Sequence, residues 1–97
     1  MSYCLFLDDL RLCPDGFIVA RTYNDAVNLI KEKGLPSMIS FDHDLGEEKT
    51  GYDFAKFIVN YCLDFKLPPP LYYVHSANPV GAENIECLLS NFEKYTI

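Results

Sequence analysis

Short apolar runs that stop abruptly at polar clusters organise this chain. Residues 3–7 are apolar throughout and end at Asp8-Asp9. Met38–Phe41 runs into Asp42-His43-Asp44-Leu45-Gly46, and Leu71–Val74 into His75-Ser76-Ala77-Asn78-Pro79. Runs this short and this continuously apolar predict strands buried within a sheet. A further run, Phe17–Ala20, follows the turn signal Pro14-Asp15-Gly16 and predicts another strand. Its link to the first strand is shorter than the dozen or so residues of a usual parallel crossover. Its direction is therefore left open.

Helical periodicity fills the spaces between. Thr22, with Asp25 three residues on, caps a helix carrying Ala26, Val27 and Ile30, which Gly34 stops before Pro36. Thr50-Gly51-Tyr52-Asp53 opens a second helix, with Phe54, Phe57, Ile58, Tyr61, Cys62 and Phe65 on one face. Pro68-Pro69-Pro70 ends it. Asn78 before Pro79 starts a third helix, with Ile85, Leu88, Leu89 and Phe92 as its buried stripe. The order strand, strand, helix, strand, helix, strand, helix predicts an α/β three-layer sandwich around a mostly parallel four-stranded sheet. Residues 1–97 form a single domain in this reading.

Composition narrows the partners. Hydrophobic residues at 49% exclude disorder. Cys4, Cys13, Cys62 and Cys87 lack metal or redox spacing and read as buried free thiols in a reducing cytoplasm. No secretory segment and no membrane-length apolar run is seen, so the expected location is cytoplasmic, away from a membrane. A net charge of -6 leaves no basic path for duplex DNA. An anionic ligand remains possible if a metal ion or backbone N–H groups take its charge.

If the strands are parallel, the polar clusters share the carboxyl edge of the sheet, where such folds place ligands. Asp8, Asp9, Asp42 and Asp44 offer oxygen ligands, which suit hard cations such as Mg²⁺ or Mn²⁺. Any single Asp there reads as a turn or helix cap; the set reads as a site. His43 and His75 are the two histidines, each just past an apolar strand. On neighbouring strands they are expected to flank one anion pocket, closed by the helix starting near Pro79, as acid and base. The alternative is that each holds its own loop. Ser76, Arg11 and Asn78 are candidate phosphate donors, Asn78 only if it is not spent on capping, and Arg11 equally an ion-pair partner of the aspartates.

These motifs resemble a known family. Phe6-Leu7-Asp8-Asp9-Leu10-Arg11, Ala20-Arg21-Thr22, Ser40-Phe41-Asp42-His43-Asp44-Leu45-Gly46, Thr50-Gly51-Tyr52-Asp53 and Val74-His75-Ser76-Ala77-Asn78-Pro79-Val80-Gly81 look like the cyclic-phosphate-processing receiver-like family, nearly end to end. The resemblance implies a truncated, flavodoxin-like receiver domain in bacteria or phages, linked to RNA repair and to nucleotide-based conflict. It implies metal binding by Asp8 and Asp9; with Asp42 at the next strand tip, the three acids are expected to converge on one site for Mg²⁺ or Mn²⁺ as cofactor. Asp42 matches the receiver's phospho-acceptor and Ser76 its hydroxyl. His43 and His75 carry the expected catalysis, and Arg11, Asp44, Ser76 and Asn78 the expected substrate contacts. The expected activity is a metal-assisted phosphoesterase acting on cyclic phosphates, either small molecules or RNA 2′,3′-cyclic ends. The alternative is a binding protein that sequesters a cyclic nucleotide or docks a partner protein without turnover. Against a true receiver, the first helix shrinks to a loop, and the fifth strand with its lysine is missing. A phosphorelay role is therefore not expected.

Overall fold

The computed structural model describes residues 2–96. The strands are β1 (Cys4–Leu7), β2 (Phe17–Ala20), β3 (Met38–Phe41) and β4 (Leu71–Val74); the helices are α1 (Tyr23–Lys33), α2 (Gly51–Phe65) and α3 (Pro79–Thr96). The sheet order is β2-β1-β3-β4, and every pairing is parallel. The α/β receiver-like architecture is as expected, and the direction of β2 is settled: residues 8–16 achieve a parallel crossover without a helix.

The caps form as their residues dictate. The Thr22 hydroxyl accepts from the Asp25 N–H, and Gly34, at φ 83°, ends α1 with its N–H donating to the Ile30 carbonyl. Thr50 and Asp53 make a reciprocal capping box at the start of α2. At α3 the Asn78 Oδ1 accepts from the Gly81 N–H at 3.0 Å.

Strand alternation divides the side chains between two faces. Leu5, Leu7, Ile39 and Phe41 point to one face and pack with Ala26 and Ile30 of α1, Phe54 and Ile58 of α2, and Ile85 and Leu89 of α3. That single cluster holds all three helices on one side of the sheet. The opposite face carries Phe6, Val19, Ser40, Leu71 and Tyr73, and there Val19, Leu71 and Tyr73 are 37%, 70% and 59% exposed. The expected third layer is thus corrected to two. The crossover that would cover this face is the loop 8–16 rather than a helix.

Two packing expectations also change. Phe65 is exposed, as are Leu63 and Asp64 in the same last turn of α2, and its ring lies against Tyr61 instead. All four cysteines are free, but Cys62 alone is buried and Cys87 faces solvent.

Candidate functional site at the carboxyl edge of the sheet

The strand register builds the site. Leu7 pairs with Ala20 and Phe41, and Phe41 with Val74, so the strands end level. The next residues along that level are Arg21, Asp8, Asp42 and His75. Asp8 and Asp42 are buried. One ligand atom from each of Asp8, Asp42 and His75 lies within 4.8 Å of the others.

Asp8 is the most heavily bonded group in this set. Its Oδ1 accepts from the Leu10 and Arg11 N–H groups, each at 2.8 Å. Its Oδ2 accepts from Arg11 Nη1 and from His75 Nε2, each at 2.9 Å. Burial pushes the carboxyl up, but these donors outweigh it and bring the pKa down to about 2. Because an ionised carboxylate only accepts, His75 Nε2 carries the hydrogen. The other nitrogen, Nδ1, lies 2.7 Å from the Ser40 hydroxyl, and the ring stacks on Phe6 at 4.7 Å. His75 is therefore fixed on three sides.

Asp42 goes the other way. Burial and the neighbouring Asp8 charge raise its pKa, against the Arg11 charge, the Ser76 hydrogen bond and the His75 charge. Adjacent acids pushed in opposite directions mark a site with divided roles.

Arg11 lies between them, Nη1 being 3.7 Å from Asp42 Oδ2. Its backbone is pinned separately: the N–H donates to Asp8, and the carbonyl accepts from Arg21 Nη1 at 2.6 Å. Arg21 Nη1 also donates to the Asp8 carbonyl at 3.2 Å, tying the end of β2 to that of β1.

His43 is one residue further along β3 than Asp42, and alternation sends it to the helical side. Its Nδ1 lies 2.9 Å from Asp44 Oδ1, and its ring rests on Gly81 in the first turn of α3. The hydrogen bond from His43, with help from Asn78, holds the Asp44 carboxyl below the usual range. A Cβ on Gly81 would sit 2.3 Å from His43 Cγ, so the glycine there is a seat for the imidazole. Gly81→Ala is expected to lose about 1–3 kcal/mol by overpacking, despite alanine's better helix propensity. Urea unfolding checks this, and the same substitution in a His43→Ala background is expected to cost nothing.

An open cleft of about 380 Å³ tops the level, lined by Asp8, Asp9, Arg11, Asp42, Asp44 and Ser76 among others. The structure thus brings together most of the sequence candidates. His43, His75 and Asn78 are not among the cleft-lining residues. The histidines do not flank one pocket: His75 stands with Phe6 and Ser40 on the bare-face side, His43 against α3. Asp9 lines the cleft with Oδ2 near Gly46, outside the Asp8, Asp42, His75 trio. Asn78 is spent on capping, and its amide turns to Asp44 at 3.4 Å. The start of α3 offers little to an anion, since Pro79 has no N–H and those of Gly81 and Ala82 bond to Asn78. Ser40, Phe6, Arg21 and Gly81 were not singled out as site residues by sequence. Ser40 and Phe6 are readable as neighbours of His75 once β3 and β4 are known to pair.

Residues 3–91 match the family model of the cyclic-phosphate processing receiver domain. The chain belongs to that family. No curated protein matches this receiver. A solved structure described as a yeast Spc42 trimeric coiled-coil segment fused to another structure aligns with it at TM-score 0.57 and 19% identity. The alignment covers 90% of this chain and 60% of that one, and at this identity it shows the fold alone. Among the described residues no helix is long and apolar enough to cross a membrane.

Proposed function

We propose that the cleft binds the phosphate of a cyclic phosphate ester and opens its ring by hydrolysis. The supporting observation is the placement of buried Asp8 and Asp42, half-exposed Arg11 and the Ser76 hydroxyl around one cleft. Asp8 and Asp42 bring carboxylate oxygens within 4.8 Å of one another that fit Mg²⁺ or Mn²⁺, while His75 Nε2, which carries a hydrogen for Asp8, orients the set rather than ligating. When bound, such a cation supplies charge neutralisation at the phosphate and a Lewis acid for the ester oxygen. Arg11 and Ser76 hold the phosphate oxygens. His43, held by Asp44, turns from its seat on Gly81 towards the cleft and takes the proton from water as its oxygen adds to phosphorus. The phosphorus–oxygen bond to one ribose oxygen breaks, and that oxygen draws a proton from solvent, to which the cleft is open. His75 is a positioning residue in this scheme: it holds Asp8, and both its ring nitrogens are engaged.

The engagement of His75 also favours a second reading. With neither imidazole lining the cleft, the resting arrangement suits a protein that binds the cyclic phosphate and retains it. The test is hydrolysis of 2′,3′-cyclic mononucleotides and of a cyclic-phosphate-ended oligonucleotide, with and without Mn²⁺. Turnover is expected to fall about 10²–10⁴-fold in His43→Ala, the scale of a general acid–base group. Wild-type binding without turnover selects the retaining protein, and unchanged turnover in His43→Ala removes the proton-transfer role.

A further inference from the structure

Resting on the cation reading above, we propose that the Arg11 guanidinium is the resident counter-ion of the cation site. Arg11 and a divalent cation exchange there, and Arg11 is released to the ligand's phosphate. The argument begins with coordination. Asp8 accepts four hydrogen bonds, two on each oxygen, which fills the usual lone-pair directions of a carboxylate. A cation can reach Asp8 Oδ2 only if a donor leaves. The two backbone donors belong to the turn after β1 and cannot leave without unmaking it. His75 is held by Phe6 and Ser40 as well as by Asp8. The Arg11 side chain is the loosest of the donors, 48% exposed and flanked by the exposed Leu10 and Leu12.

Its place is also that of a bridging charge. Nη1 lies 2.9 Å from Asp8 Oδ2 and 3.7 Å from Asp42 Oδ2. The charges of Asp8, Asp42 and Asp9 all act on it. These are the acids that the sequence reading nominated for a cation. Because the Arg11 N–H and carbonyl are tied to Asp8 and Arg21, the side chain can swing while the loop backbone stays. The swing keeps the guanidinium in the cleft, where a phosphate would meet it. Arg11 thus neutralises the paired acids in the resting protein, and cation and anion load together.

Calorimetry with Mn²⁺ alone tests the exchange in wild type, Arg11→Gln and Arg11→Lys, each confirmed folded by circular dichroism. Removing the competing charge is expected to tighten Mn²⁺ binding about tenfold or more in Arg11→Gln, while Arg11→Lys stays near wild type. A second titration uses inorganic phosphate. Wild type is expected to bind it several-fold more tightly with Mn²⁺ present, and Arg11→Gln to lose that gain. If Arg11→Gln binds Mn²⁺ no tighter than wild type, Arg11 does not compete and the proposal fails while the cation site stands. If none of the proteins binds Mn²⁺, the cation reading itself fails and takes the exchange with it.

Discussion

Asp8→Asn is expected to be the most destabilising single-atom-scale change in the protein, by about 3 kcal/mol in urea unfolding. The substitution keeps one oxygen for the Leu10 and Arg11 N–H groups. It sets an amide NH₂ where Arg11 Nη1 and His75 Nε2–H now donate, so donors face donors in a buried place. The same bonds predict an acid limb. The folded pKa of Asp8 is about 2 against an ordinary 3.8, so its contribution is full above about pH 4 and is lost as pH falls towards 2. That limb is worth about 2 kcal/mol, and Asp8→Asn should lack it. A variant within half a kcal/mol of wild type at pH 7 would mean that the four-donor arrangement does not form in solution.

Asp42→Asn is expected to do the opposite. Asp42 is raised by burial and by Asp8, so its ionised form costs stability at neutral pH and the cost lessens as pH falls through its folded pKa. Removing the charge should stabilise the metal-free protein by about 1 kcal/mol, the scale of relieving a like-charge contact. The gain should reverse with Mn²⁺. Wild type is expected to melt higher as Mn²⁺ is added, since a cation bound only by the folded state stabilises it. Asp42→Asn should show little or no rise. Thermal melts of both proteins across a Mn²⁺ series decide this. A variant less stable than wild type without metal would show that the Arg11 and Ser76 contacts outweigh the repulsion.

Much of the fold was legible because its signals are local. Thr22, Thr50 and Asn78 cap where they stand, and the apolar runs end where the strands end. The Asp8, Asp42 and His75 level was readable too, as the first polar residue after each of three strands. The side assignment was not drawn, since it needs a count from the strand end. Asp42 is one residue past Phe41 and His43 two, so they part to opposite sides. The single helical layer depended on how residues 8–16 cross, which composition does not announce. Phe65 shows the limit of periodicity: it lies on the apolar stripe of α2, yet the last turn of that helix is left uncovered.

Alternation past the end of β3 acts as an address, and a change of chain length rewrites it. Deleting Asp42 alone would deliver His43 beside Asp8 and His75 and carry Asp44 to the Gly81 seat. The result puts an imidazole in place of the Asp42 carboxylate, a donor suited to softer cations, with an acid against α3. Adding a residue back restores the oxygen-rich arrangement. If the edge holds a cation as proposed, its preference for hard or soft ions can drift through indels, without any amino acid being exchanged for another.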